Sequence, residues 1–298
     1  MVRQYKIHTN LDGTDDKVWD VTNGKVRFYQ PSNLGLQSTN NIWQSNGIGV
    51  MGTRSITQPQ IEFKLETFGE SLEENYQLMK DFVNDIISKK FVTLEYQTEI
   101  FQVYADLALA DVTKTEGYGK NGTFSEKITF DIITKWYTYE NLTFDKIQNG
   151  KVIAGKSKIY GGIAPGNYKY VKGISYTYYG ETNIDRLSRW DIKDEIFSFM
   201  GILYPQLPKT PTGVRFLDDI GNEYTAIVFK TEQLQNYILI NTDVNDEIYQ
   251  GWNGTTSLNL FPVMDFERYR TRIIEKGQME LINLSKAEFK IKRKADFV

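Results

Sequence analysis

Hydrophobic and polar residues alternate along most of this chain with the two-residue period of β-strands. In QIEFKLETF, residues 60–68, Ile61, Phe63 and Leu65 alternate with Glu62, Lys64 and Glu66, so one face is predicted buried and one wet. KVRFY (25–29) precedes it, and the long segments FVTLEYQTEIFQVYADLALADV (91–112) and FSEKITFDIITKWYTY (124–139) follow. The glycine-rich TKTEGYGKNGT between those two reads as a long hairpin end able to reach a neighbouring subunit, or as a solvated loop.

One segment breaks the period. SLEENYQLMKDFVNDIISKK (71–90) opens with Ser71 and Glu74 in capping-box spacing, and Leu72, Tyr76, Met79, Val83, Ile86 and Ile87 recur at three- and four-residue intervals. The spacing predicts a helix over 71–89 with one apolar stripe laid on a sheet. Near 138 the aromatic strand ending WYTY gives way to ENLTFDKIQNGK, and a new alternation begins. We place a boundary there, with an N-terminal β domain carrying the single helix over 1–138 and an antiparallel β-sandwich over 139–298.

The second domain resumes short strands in EYTAIVFK, NYILINT, TSLNLF, QMELINL and KAEFKIKRKADFV. The lysine face of the last, Lys290, Lys292 and Lys294, reads as a solvated or protected sheet edge. Between about 155 and 208 the sequence is irregular and rich in Gly and Tyr, the mark of an insertion. The fold class is therefore mainly β, of the α+β kind.

Composition narrows the function. With 35 basic and 38 acidic residues the net charge is −3, which argues against chain-wide attraction to nucleic acid. No cysteine is present, so disulfides, thiolate nucleophiles and cysteine-based zinc sites are excluded; the single histidine, His8, excludes a multi-histidine metal cluster within one chain. The amino terminus lacks an apolar signal core and no stretch is long enough to span a bilayer, so a soluble chain without membrane contact is expected.

Candidate chemistry centres on TDVNDEIYQGWNG, residues 242–254. As a calcium loop, Asp243, Asn245 and Glu247 meet the first offsets, but Ile248 stands where glycine is needed and Gly254 where the last ligand should be. As a sugar site, Trp252 beside Asn241, Asn253 and Asp246 would combine a stacking ring with hydrogen-bonding groups, giving a carbohydrate-binding module as the alternative function. As plain structure, it is a hairpin whose tryptophan lies on the core. Asp218 with Asp219, or Asp265 with Glu267, are available carboxylate pairs without a defined separation. GGIAPGNYK and SNGIGVMG lack the features of phosphate and dinucleotide loops. No enzymatic activity and no cofactor or metal follow from these residues.

The order of features carries further information: PSNLGLQ after the first strands, one capped helix between strand pairs, a boundary near 140, then a sandwich with NYILINTDVNDEIYQG and RTRIIEKGQMELIN. The whole chain resembles the distal tail protein of long-tailed bacteriophages, most closely the version in baseplates of phages infecting lactococci. That resemblance implies a hexameric ring of N-terminal domains and a galectin-like second domain. It also implies an arm that anchors trimeric receptor-binding proteins, contacts with the tail tube and the tail-tip protein, and a place at the distal end of the virion tail after assembly in the host cytoplasm. The candidate arm is the insertion around 155–208, with Tyr160, Tyr168, Tyr170, Tyr179 and Trp190 as candidate aromatic anchors.

Overall fold

The computed structural model describes residues 3–35, 38–56, 59–114, 123–144, 147–148, 151–152 and 189–295. The chain divides into two compact units, Met1–Thr138 with Ala295–Val298, and Tyr139–Lys294.

In unit one, β1 (Gln4–His8), β2 (Val18–Asp20), β3 (Val26–Ser32), β6 (Gln60–Thr67), β7 (Val92–Gln97), β8 (Gln102–Thr113) and β9 (Ser125–Ile132) form one sheet. Its order is β2-β1-β7-β8-β9-β6-β3, antiparallel at every step. The alternation of β6 is realised: Ile61, Phe63 and Leu65 are buried, and Glu62, Lys64 and Glu66 are not. Inside lie Tyr5, Phe28, Phe63, Leu94, Leu107 and Phe130, with Phe63 and Phe28 rings stacked at 4.7 Å.

The helix α1 (Leu72–Ile87) packs on this core through Phe82 and Ile86. Phe82 meets Trp19 edge-on at 5.2 Å and Phe28 at 5.8 Å. The expected stripe is rotated. Leu72, Tyr76 and Ile87 are exposed, whereas Asn75 is buried, because its side chain accepts from Gly69 N at 2.7 Å and donates to Ser71 O at 3.0 Å, tying the helix start to the incoming loop. Ser71 Oγ accepts from Glu74 N at 3.2 Å, and Glu74 reaches back to Glu70 N at 2.7 Å, one residue before the cap.

Two further strands, β4 (Ser38–Ser45) and β5 (Ile48–Ile56), pair with each other and, among the described residues, with no other strand. β10 (Tyr137–Phe144) begins in unit one, where buried Tyr137 pairs with Tyr104 and donates to Asp106 at 2.8 Å. Two short segments, β11 (Ile147–Gln148) and β12 (Lys151–Val152), pair antiparallel.

Unit two is a sandwich. One sheet holds β14 (Ile196–Pro205), β17 (Tyr237–Asn241), β18 (Ile248–Asn253), β19 (Thr256–Asn259) and β21 (Leu284–Lys294), ordered β19-β18-β17-β14-β21, with β10 beyond β21. The other holds β13 (Arg189–Ile192), β15 (Thr212–Leu217), β16 (Glu223–Phe229) and β20 (Gly277–Ile282), ordered β13-β20-β15-β16. Phe199 against Phe216 at 5.9 Å and Phe229 against Tyr249 at 6.0 Å join the two layers.

Two sequence expectations change here. The lysine-bearing last strand is no sheet edge: β21 lies between β14 and β10, and Lys292 is buried. A lysine can point inward in such a strand because a carboxylate waits for it there. The stretch expected as an arm insertion, around 155–208, also contains two sandwich strands at its end. Residues 189–205 alternate correctly for two sandwich strands and occupy them, with Ile196, Phe199 and Leu203 buried.

Candidate functional site

The acidic loop after β17 is built around its own hydrogen bonds. Asp246 N donates to Asp243 O at 3.0 Å and Asn245 N to Asp243 Oδ1 at 2.9 Å, closing a tight turn. Asp243 is held by Lys292 at 2.8 Å, Asp246 accepts from Asn241 at 3.2 Å, and Glu247 accepts from Tyr249 and Arg272 at 2.8 and 3.0 Å. Burial pushes the Tyr249 phenol up, with Tyr269 and Glu247 acting the same way, so it stays a donor. Among the described residues no group of three acidic or histidine side chains is placed to hold a metal ion.

The same register separates the groups of the sugar reading. Asn241 pairs with Ile248, whereas Trp252 pairs with Tyr237, four residues further along the hairpin. At about 3.3 Å per residue that is on the order of 13 Å. Trp252 is half-buried and its ring lies parallel to Tyr237 at 6.0 Å, a cross-strand pair. Of the saccharide set, Asn253 stays beside Trp252 on β18, whereas Asn241 and its partner Asp246 stand at the other end of the hairpin, where the loop forms a turn. One acid of each pair proposed for hydrolysis is engaged: Asp265 is salt-bridged to Lys230 at 2.9 Å, which holds its carboxyl below the usual range, and Asp218 caps its own turn.

Of the aromatic anchors, Tyr160, Tyr168, Tyr170 and Tyr179 lie outside the described residues. Trp190 sits on β13 opposite Met279, half-buried against the sandwich core.

The sequence reading missed the surface that stands out most. Every residue from Ser38 to Ser55 on the β4–β5 hairpin is exposed, including Trp43 at 68% and Ile48 at 70%. Trp43 faces Val50 and Ile42 faces Met51 across the ladder, so both sides of the ribbon carry apolar groups. Asn46 and Gly47 form the tip with φ of 50° and 79°, the left-handed pair of a two-residue hairpin turn. At its base the register of β3 slips between Tyr29 and Ser32, with Gln30 and Asn33 at φ of 48° and 62°. That bulge directs the chain out of the sheet. The signal was present in NIWQSNGIGVM, where an Asn-Gly pair separates two apolar runs.

A lone two-stranded ribbon with apolar groups on both faces is marginal in water, and needs another surface to rest on. Together with loop carboxylates engaged in internal pairs, it marks a protein built for assembly. Distal tail protein N-terminal domain and Dit C-terminal domain profiles match residues 4–133 and 135–298, and the chain belongs to the distal tail protein family. It is a structural protein of the phage tail and baseplate, not an enzyme.

The distal tail protein of Lactococcus phage p2 is 95% identical over 298 residues, the full length of both chains. The phage p2 baseplate solved in its activated conformation with Ca contains a chain 95% identical, covering 100% of each, at TM-score 0.79. The crystal structure of the SPP1 Dit protein, described as a paradigm of hub adsorption apparatus in phages infecting Gram-positive hosts, covers 98% of this chain and 99% of its own at TM-score 0.54. At 11% identity it shares the fold.

Proposed function

We propose that the chain forms a hexameric ring at the end of the tail, joins the tail tube to the tail-tip protein, and anchors trimeric receptor-binding proteins for host attachment. The observation that carries this reading is the β4–β5 hairpin, whose exposed Trp43, Ile48 and Val50 need a neighbouring subunit to cover them. A closed ring is made by a heterologous contact, in which each copy presents two different surfaces, and a projecting ribbon supplies one of them.

The receptor-binding trimers attach through the stretch before β13, with Tyr160, Tyr168, Tyr170 and Tyr179 as aromatic anchors. Multivalency of a six-copy hub multiplies modest single contacts into firm attachment. Assembly takes place in the host cytoplasm before release of the virion. Support comes from the p2 baseplate, which holds a chain of 95% identity.

Light scattering on the purified chain tests the reading, alone and with receptor-binding trimers, in buffers with and without calcium. The expected species has six times the 34.5 kDa chain mass and gains trimers. A persistent monomer indifferent to trimers would reject it.

A further inference from the structure

Among the described residues the sandwich carries an edge strand with no neighbour on its outer side. β19 pairs with β18 on one side, and among the described residues nothing pairs with the other. Its sequence, Thr-Ser-Leu-Asn, is exposed at all four positions and has neither the charge nor the proline that ordinarily protects an edge. Beyond it the chain turns through Phe261–Val263 and is fastened along β16 by Lys230 N to Val263 O at 3.0 Å and Asp265 N to Val228 O at 2.8 Å.

That strap displays apolar groups outward. Leu258, Phe261, Val263 and Phe266 are all exposed, and the Phe261 and Phe266 rings meet edge-on at 5.1 Å. Phe261 also stacks on buried Tyr249 at 6.1 Å, which fixes it in place. Two exposed carboxylates flank the strap, Glu232 and Glu267, while the nearby Lys230 is already engaged by Asp265.

We propose that the free edge of β19 accepts an extended strand from a different protein of the particle, apolar at alternate positions and bearing Lys or Arg beside them. The incoming backbone would pair with β19, its apolar side chains would cover Phe261 and Phe266, and its cations would meet Glu232 and Glu267. The charge pattern selects against a second copy of this chain. Pairing two β19 edges would set Glu232 and Glu267 of one copy against the same carboxylates of the other, like charge against like charge. This inference rests on the tail-tip reading for where the partner is found.

Hydrogen–deuterium exchange over residues 255–262 tests it, comparing the purified chain with intact tails. Exchange in tails is expected to slow by about tenfold or more. Phe266→Ser and Ser257→Lys, both at exposed positions, should each remove that protection while leaving the mass of the self-assembled chain unchanged. Equal exchange in tails and in the isolated chain overturns the proposal alone, as does protection retained in both variants. Protection that appears in the purified chain as concentration rises would assign the edge to a second copy and overturn it too. A chain absent from tails altogether would overturn the tail-tip reading as well.

Discussion

Lys292 Nζ lies 2.8 Å from Asp243 Oδ2, and both side chains are only 6% exposed. The pair ties the inner strand β21 to the turn that follows β17, 49 residues away in the chain. Removing one partner leaves a buried charge without compensation, at a cost of about 3–5 kcal/mol. Lys292→Met should therefore destabilise unit two by that order, and Asp243→Asn combined with Lys292→Met, which removes the charge but keeps the oxygen that accepts from Asn245 N, should recover most of the loss. Urea unfolding read by hydrogen exchange in β14 and β17 reports on this unit alone. A double variant no better than the single would show that the pair does more than satisfy itself.

Glu95 is the corresponding group of unit one. One oxygen accepts from Lys6 at 2.9 Å and the other lies 2.9 Å from His8 Nε2, while His8 Nδ1 lies 2.7 Å from Asp16. Burial pushes the carboxyl up, but Lys6 and His8 outweigh it and hold the pKa below its ordinary 4.5. A depressed folded pKa contributes stability that is fully present above 4.5 and is lost as pH falls through the folded value. Glu95→Gln should lower stability at neutral pH and flatten the acid limb of the profile below that point. Unfolding midpoints of unit one between neutral and acid pH check this; an acid limb as steep as in the parent chain would exclude Glu95 as its source.

The strands were legible in the sequence wherever one face is buried and the other wet, as in Ile61, Phe63 and Leu65 against Glu62, Lys64 and Glu66. The helix was legible from its cap, but its buried face was not. Leu72 and Tyr76 fit the apolar period as well as Phe82 does, and only the position of Phe28 and Trp19 selects Phe82. Lys292 was misread because a strand alternating with lysines looks the same whether solvent or a distant aspartate lies opposite. Asn241 and Trp252 were grouped for a related reason: neighbours in a loop sequence become far apart once strand pairing extends the hairpin. The exposed β4–β5 ribbon was missed since its apolar residues face no core of their own, so burial logic gave no reason to single it out.

Asn283 fastens the turn between β20 and β21 to the loop leading into β15. Its amide donates to Leu207 O at 2.9 Å and Thr212 Oγ1 at 2.7 Å, its oxygen accepts from Leu207 N at 3.0 Å, and its own backbone sits at φ 53°. Asn283→Gly keeps the backbone comfortable but forfeits the side-chain bonds, costing about 1–3 kcal/mol. Asn283→Ala should cost roughly 1 kcal/mol more, since a Cβ disfavours that conformation. Equal losses in thermal unfolding would mean the backbone angle relaxes in the variant.

The exposed ribbon separates assembly from folding. None of Trp43, Ile48 and Val50 is buried in its own subunit, so Trp43→Ser with Ile48→Thr and Val50→Thr should change the stability of the isolated chain by no more than about 0.5 kcal/mol. In a ring each of those side chains would be covered by the next copy, and loss of an interface tryptophan typically costs 2 kcal/mol or more, about thirtyfold at every contact. Because a closed ring repeats the same contact around its circumference, the triple variant should remain monomeric at concentrations where the parent chain is assembled. Light scattering across a dilution series, paired with thermal unfolding of the monomer, reads the two effects apart. A variant that assembles like the parent would move the subunit contact away from the hairpin, and one that melts early would mean the ribbon folds back onto its own unit.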